Sequence, residues 1–316
     1  MSERENPIQT VGICGIGQMG AAAAVSFQRS GYRVLLWGRN ASRLAAVQEK
    51  LDELNAWIDE HIGPSPRAAG SIEKVSDLHR VGSEAQLVLD AIAEDMGQKV
   101  ELLEKLAACA QPSTTYVTTT SGLSVTEMGR KSGTGPSLAG THFWNPPHLM
   151  PLVEVVRGED TANDVLDLVC EVVESIGKIP VRVEKDVPGF IGNRLLHALW
   201  REAINLVQRG IASPEDIDKV ARLTFGLRAP VVGPTENMDL VGLDLVKAIH
   251  DYLLADLADD HDTLPSHRDL IDRGELGMKS GRGFHDWQKR DGAALIERRD
   301  RQIVRQLEYL REIGAL

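Results

Sequence analysis

The stretch Val11-Gly-Ile-Cys-Gly-Ile-Gly-Gln-Met-Gly20 constrains this chain more than any other. It follows a short apolar run, carries Gly15-x-Gly17-x-x-Gly20, and opens the alanine-rich segment Ala21 to Val25. That order reads as strand, tight turn, helix. The first glycine permits the turn, and the second lets a pyrophosphate approach the backbone. The third lets the helix pack on the strand, with the helix N-terminus facing the phosphates. Gly15, Ile16, Gly17, Gln18, Met19 and Gly20 are therefore the expected phosphate-loop contacts. The competing reading is a glycine-rich turn without a ligand; the strand before it and the helix after it favour a dinucleotide.

The next strand, Tyr32-Arg-Val-Leu-Leu-Trp37, should end on the residue that reads the adenosine ribose. Asp or Glu there accepts hydrogen bonds from the ribose hydroxyls of NAD. This chain has Gly38-Arg39-Asn40. No carboxylate stands there to repel a 2′-phosphate, and a guanidinium matches phosphate bidentately. The expectation is NADP ahead of NAD, with Arg39 and Asn40 at the ribose. The alternative is that Arg39 faces solvent or stacks on adenine while NAD binds through its hydroxyls.

A chain of 316 residues, 42% hydrophobic and 26% charged, fits a soluble protein of two domains. Its formal charge of −11 argues against nucleic acid or an anionic membrane as partner. Cys14, Cys109 and Cys170 are too scattered for a metal-ligand or disulfide pattern, and core packing suits them. No metal is expected. The N-terminal MSERENPIQT lacks the basic-then-apolar order of a secretory signal, and no run reaches membrane-spanning length. The expected location is the cytoplasm.

The first half alternates strand and helix. Strands are predicted at Thr10–Cys14, Arg33–Trp37, Leu87–Ile92, Thr115–Thr119, Ser137–Phe143, Leu152–Val156 and Ile179–Val183, as in a doubly wound α/β sheet. Ala41 to His61 reads as a long charged helix, and Gly63 to Gly70 as a break. Helix and break are expected to form an insertion projecting between the second and third strands. Helical periodicity takes over after Asp186-Val-Pro-Gly-Phe190: Ile191–Arg209, Pro214–Thr224, Asn237–Ala258 and Gly292–Ile313. The predicted division is a Rossmann-type domain over residues 1–187 and an all-helical domain over 188–316, hinged at Pro188-Gly189.

His142 lies in Thr141-His-Phe-Trp-Asn-Pro-Pro147, and Glu154 in the apolar strand Leu152-Val-Glu-Val-Val156. Pro146, Pro147 and Pro151 cannot continue a paired strand. Two strands folding back antiparallel about residue 148 place His142 opposite Glu154 on one face. A carboxylate there orients an imidazole for general base work. A surface histidine with an unrelated glutamate has the same spacing. Ser121, in Thr118-Thr-Thr-Ser-Gly122 after a strand, could donate to a substrate oxygen or cap a turn. Asn193, in Phe190-Ile-Gly-Asn-Arg194, could face a cleft or simply start a helix.

Taken together these pieces resemble the 3-hydroxyacyl-CoA dehydrogenase family. The resemblance rests on Gly15-x-Gly17-x-x-Gly20, Asp90-Ala-Ile-Ala-Glu94, Thr120-Ser-Gly-Leu123, His142-Phe-Trp-Asn-Pro146, Leu152-Val-Glu154, Asp186 to Arg194, Glu202-Ala-Ile204 and Gly277 to Phe284, in that order. It implies that His142 is the general acid/base and Glu154 its orienter. It also implies that Ser121 and Asn193 contact the substrate oxygen, and that Glu94, Lys99, Asn145 and Lys279 line the dinucleotide site. A homodimer through the helical domain is implied at the same level.

The departures shape the expected substrate. Gly38 stands where the family carries its acidic ribose reader. Where the family's CoA contacts are basic, this chain has Glu49-Lys-Leu-Asp-Glu53 and Asp59-Glu60, a poor site for a 3′-phosphate. Two sets of motifs resemble the branch that works without CoA: Asn145-Pro-Pro147, Gly226-Leu-Arg228 and Gly233 to Met238 resemble the lambda-crystallin-like L-gulonate 3-dehydrogenases, and Asn145-Pro-Pro-His148, Asp186-Val-Pro-Gly-Phe190 and Ala255-Asp-Leu257 the formyl-hydroxymethylpyridine-carboxylate dehydrogenases. The expected enzyme is an NAD(P)-dependent dehydrogenase of a small polar hydroxy acid, with Arg228 reading the substrate carboxylate. A short-chain 3-hydroxyacyl-CoA dehydrogenase and a non-catalytic, crystallin-like dinucleotide-binding protein remain as alternatives.

Overall fold

The computed structural model describes residues 8–65 and 67–316; most of the N-terminal stretch read above for a signal, residues 1–7, lies outside them. The chain divides into two compact units, one running through Arg194 and the other covering Leu195–Leu316.

The first unit is built on one eight-stranded sheet: β1 Thr10–Cys14, β2 Arg33–Trp37, β3 Ser71–Val75, β4 Leu87–Asp90, β5 Thr115–Thr118, β6 Leu138–Phe143, β7 Leu152–Arg157 and β8 Ile179–Val183. Their spatial order is β3-β2-β1-β4-β5-β6-β7-β8. Every neighbouring pair is parallel except β6 with β7. The central strands are buried on both faces, as parallel strands covered by helices must be. The helices are α1 Gln18–Arg29, α2 Ala41–His61, α3 Leu78–Glu84, α4 Met96–Ala107, α5 Val125–Ser132, α6 Asn163–Ser175 and the start of α7 Gly192–Gln208. Strand order reverses at β1, and the crevice outside the carboxyl ends of β1 and β4 is where such sheets bind ligands. Register aligns those ends: Cys14 pairs with Trp37 and Asp90, Asp90 with Thr118, and Thr118 with Gly140.

The expected projecting insertion is absent from this fold. Its helix, α2, buries Leu44, Val47, Leu51 and Ile58 on the sheet, at helical spacing. It is the crossover into β3, an edge strand that the sequence reading missed. Ser-Ile-Glu-Lys-Val carries two charges because the edge strand is half exposed. Glu73 answers Arg33 at 3.1 Å and Arg80 at 2.7 Å.

The second unit is all-helical: most of α7, then α8 Pro214–Leu223, α9 Phe225–Arg228, α10 Pro234–Val241, α11 Leu243–Leu253, α12 Pro265–Asp272 and α13 Gly292–Glu312. The single helix expected over Asn237–Ala258 is broken. Gly242, at φ 100°, ends α10 and turns the chain into α11, a conformation only glycine adopts freely. Among the described residues of this unit, Leu264 and Leu307 are its buried apolar side chains. Leu195, Leu223, Leu240, Leu243 and Tyr252 are each more than half exposed. No helix among the described residues is long and apolar enough to cross a membrane.

Candidate active site

The glycine loop has the geometry its sequence requires. Gly15 sits at φ 131°, and a Cβ there would lie 2.2 Å from the Ala91 carbonyl. A Cβ on Gly20 would lie 2.0 Å from the Gly15 carbonyl, so only glycine lets α1 pack this closely. A Cβ on Gly17 would meet nothing within 4 Å. That open face, at a helix start with no side-chain cap and no acid in its first turn, fits a pyrophosphate. Ile16 and Met19 are half-buried beside it, and Gln18 is exposed.

At the end of β2, Gly38 is buried, and a Cβ there would crowd the Ile16 side chain at 3.2 Å. A side chain at this position would require Ile16 to shift by a few tenths of an ångström. Arg39 is exposed on the rim of a cavity of about 210 Å³ whose floor includes Trp37, Leu78, Ile92 and Leu102. Asn40 serves the fold directly, because its side chain accepts the Arg43 amide at 2.9 Å and caps α2.

A hydrogen-bonded chain links the ends of β4 and β5 to the start of α7. Asp90 is fully buried and accepts from the Lys99 ammonium and the Thr118 hydroxyl, both at 2.8 Å. Lys99, also fully buried, lies 3.7 Å from Glu94. Removing either member of such a buried pair typically costs about 3–5 kcal/mol. Glu94 Oε1 accepts from the Thr120 hydroxyl at 2.6 Å and the Ser121 amide at 2.8 Å. The Asn193 side-chain amide donates to the Ser121 carbonyl at 3.1 Å. Ser121 and Asn193 therefore meet, with Glu94 and Lys99 behind them. Asp90 was missed as a site residue, although an acid ending the apolar run Leu87-Val-Leu-Asp90 is a visible signal.

His142 and Glu154 are in antiparallel register, and Nδ1 lies 2.6 Å from Oε2. Both side chains are buried. The other carboxylate oxygen, Oε1, accepts the main-chain amides of Ile191 at 2.9 Å and Gly192 at 3.0 Å. Burial alone would push the Glu154 carboxyl up. The hydrogen bonds from His142 and from the two amides outweigh it and hold the carboxyl below its ordinary range. An ionised carboxylate only accepts, so His142 must carry its proton on Nδ1, which leaves Nε2 for chemistry. Trp144 and Phe190 flank the imidazole, with ring centroids 5.2 and 5.6 Å away. The loop joining β6 and β7 is tied down by buried Lys178, which donates to the carbonyls of Pro147 at 2.8 Å and Met150 at 2.9 Å. Burial pushes its ammonium down to about 8. Gln18 of the phosphate loop donates to the Asn145 side chain at 2.9 Å, which joins Asn145 to the glycine loop.

Two of the sequence-predicted residues lie in the helical unit. Arg228 is exposed at the last position of the short helix α9. Lys279 is exposed in the 3₁₀ turn Met278–Ser280.

The 3-hydroxyacyl-CoA dehydrogenase NAD-binding domain matches residues 10–187, and the C-terminal domain of the same family matches residues 189–287. The chain belongs to that family. It is accordingly a nicotinamide-dependent dehydrogenase. The chain is 32% identical over 304 residues to 5-formyl-3-hydroxy-2-methylpyridine 4-carboxylate 5-dehydrogenase of Mesorhizobium japonicum, covering 94% of this chain and 96% of that one. A crystal structure of a dehydrogenase of that name, described as an NAD+-dependent dismutase, superposes with a TM-score of 0.90 at 31% identity, covering 96% and 99%. A probable 3-hydroxybutyryl-CoA dehydrogenase of Bacillus subtilis is 34% identical over 294 residues, covering 90% and 99%.

Proposed function

We propose that this family member transfers hydride between a nicotinamide cofactor and a small, polar, carboxylate-bearing alcohol or aldehyde. The observation that carries the mechanism is the His142–Glu154 hydrogen bond, anchored by two amides on the far carboxylate oxygen. The nicotinamide supplies the hydride acceptor. His142 Nε2 takes the hydroxyl proton as the carbonyl forms and returns it in the reverse direction. Glu154 holds the ring in the tautomer that leaves Nε2 free and answers the imidazolium's charge. Ser121 and Asn193, joined through the Ser121 carbonyl, stand as the groups that receive the substrate oxygen. The cofactor residues are the glycine loop, Glu94, Lys99, Asn145 and Lys279.

For the cofactor we favour NADP over NAD. The support is Gly38 where the family carries its ribose-reading acid, and the exposed Arg39 guanidinium beside the cavity. The carboxylate substrate is supported by the likeness to the pyridine-carboxylate dehydrogenase and by the acidic helix α2, which disfavours the phosphates of CoA. Arg228 is the proposed carboxylate reader. A second reading, a 3-hydroxyacyl-CoA substrate, is favoured by the 34% identity to the Bacillus subtilis protein. A homodimer through the helical unit is supported by the large apolar side chains that unit leaves exposed. Three free cysteines suit the cytoplasm.

A spectrophotometric screen tests this reading. Hydroxy acids, aldehyde acids and 3-hydroxybutyryl-CoA are each offered with NAD and with NADP. Turnover is expected with a free acid and not with the thioester; turnover confined to 3-hydroxybutyryl-CoA would replace it with the second reading. No turnover with any pair, in protein that binds the cofactor, would point to a non-catalytic dinucleotide-binding protein.

A further inference from the structure

Glu154 is a buried carboxylate, and among the described residues its only ion-pair partner is His142. Its charge is answered instead by the amides of Ile191 and Gly192, which converge on Oε1. They converge because the chain just before them takes two left-handed residues in succession, Gly189 at φ 77° and Phe190 at φ 50°. Glycine does this freely. For a bulky side chain it is an outlier, and Phe190 is the one non-glycine residue at positive φ among those described. Successive amides beside a left-handed residue form an anion-binding concavity, and the start of α7 adds its positive end. The Phe190 ring is buried and lies 5.6 Å from the His142 ring. A glycine would hold the same turn unstrained, so the backbone alone does not explain a phenylalanine here.

We propose that Phe190 is a positioning residue for the dyad. Its left-handed backbone aims the two amides at Glu154, and its ring walls the imidazole that Glu154 orients. The inference rests on reading His142 as the general acid/base.

Three variants separate the backbone's role from the ring's. Phe190→Val keeps apolar bulk but, being β-branched, rejects the left-handed turn. Phe190→Gly keeps the turn and loses the ring. Phe190→Ala loses the ring and retains a Cβ that opposes the turn. The readouts are kcat, KM, the acid limb of the kcat–pH profile, and the low-field Nδ1 proton of His142 by NMR, assigned by its loss in His142→Gln. Phe190→Val should lower kcat about 10–100-fold with KM within about threefold, since misplaced catalytic groups cost rate more than binding. It should also displace the acid limb from its wild-type position and remove the Nδ1 signal. Phe190→Gly should keep the signal and the acid limb, with a smaller loss of kcat. Wild-type kcat, acid limb and Nδ1 signal in Phe190→Val would overturn the proposal. Should the valine variant fail to fold, Ala and Gly decide it: an acid limb displaced further from wild type in Ala than in Gly supports the proposal, and identical profiles overturn it. The Nδ1 signal needs no turnover. A His142→Gln enzyme that turns over normally would therefore sink the catalytic reading while leaving the positioning claim measurable.

Discussion

The Nδ1 atom of His142 lies 2.6 Å from Oε2 of Glu154, across a pair of antiparallel strands joined through a loop of three prolines. The pairing fixes which imidazole nitrogen is free. The glycine loop follows β1, which lies strands away from β6 and β7 in the sheet, so the dyad and the loop can be tested by separate variants.

The dyad should control turnover and not cofactor affinity. His142→Ala is expected to lower kcat about 10²–10⁴-fold while the cofactor Kd stays near wild type. Glu154→Gln keeps the size of the side chain and loses its charge, so it should lower kcat less, through orientation. Single-turnover kinetics with fluorescence titration of the cofactor separate the two quantities, and near-normal turnover in His142→Ala would remove the histidine from the mechanism.

Cofactor selectivity should reside in Arg39. Arg39→Ala is expected to weaken NADPH at least about tenfold, the loss of one charge-assisted contact to a phosphate, and to leave NADH within about twofold. Calorimetry with 2′,5′-ADP and 5′-AMP isolates the phosphate from the nicotinamide. Equal loss for both ligands, or an initial preference for 5′-AMP, would contradict the assignment.

Lys178 should give the fold an unusual alkaline behaviour. Its pKa is about 8 in the folded chain, against about 10.4 when unfolded, because burial disfavours the ammonium. Being lowered, it destabilises the fold fully below about pH 8, and the penalty is relieved as pH rises toward the unfolded value. A neutral amine still has two N–H groups for the carbonyls of Pro147 and Met150. The stability of wild type relative to Lys178→Met should therefore grow between about pH 8 and about pH 10, by up to about 3 kcal/mol over the full interval between the two pKa values. Denaturant unfolding at both pH values measures it, and a margin that stays flat would mean the amine titrates normally.

Much of this site could be read from the chain because its signals are local. The His142–Glu154 register follows from a period of two and a proline-rich turn centred on residue 148, and the two strands pair in that register. The conformations of Gly15 and Gly20 follow from the steric demands of the loop itself. What escaped the sequence was set by tertiary packing. β3 went unread because an edge strand tolerates Glu73 and Lys74, and α2 looked detached because its charges outnumber its apolar stripe. Nothing local in Pro188-Gly189-Phe190 says that the left-handed turn continues past the glycine onto the phenylalanine. That turn takes its meaning from Glu154, nearly forty residues earlier in the chain.

Arg228 is the residue proposed to read an acidic substrate. It is exposed at the last position of the four-residue helix α9. A basic residue at a helix end also answers the macrodipole, worth about 0.3–1 kcal/mol. That contribution is to stability and is indifferent to substrate. A substrate carboxylate leaving water needs a cation, and guanidinium offers it a planar, two-pronged match. The two roles diverge when substrate charge is varied. Arg228→Ala should raise KM for the carboxylate substrate at least about tenfold and leave KM for its neutral amide within about twofold, since a charge-assisted contact is worth about 1.5–3 kcal/mol. Arg228→Lys should recover part of the loss, because it restores charge without the fork. Equal losses for acid and amide, accompanied by a lower melting temperature, would assign Arg228 to the fold and leave recognition of the carboxylate to another residue.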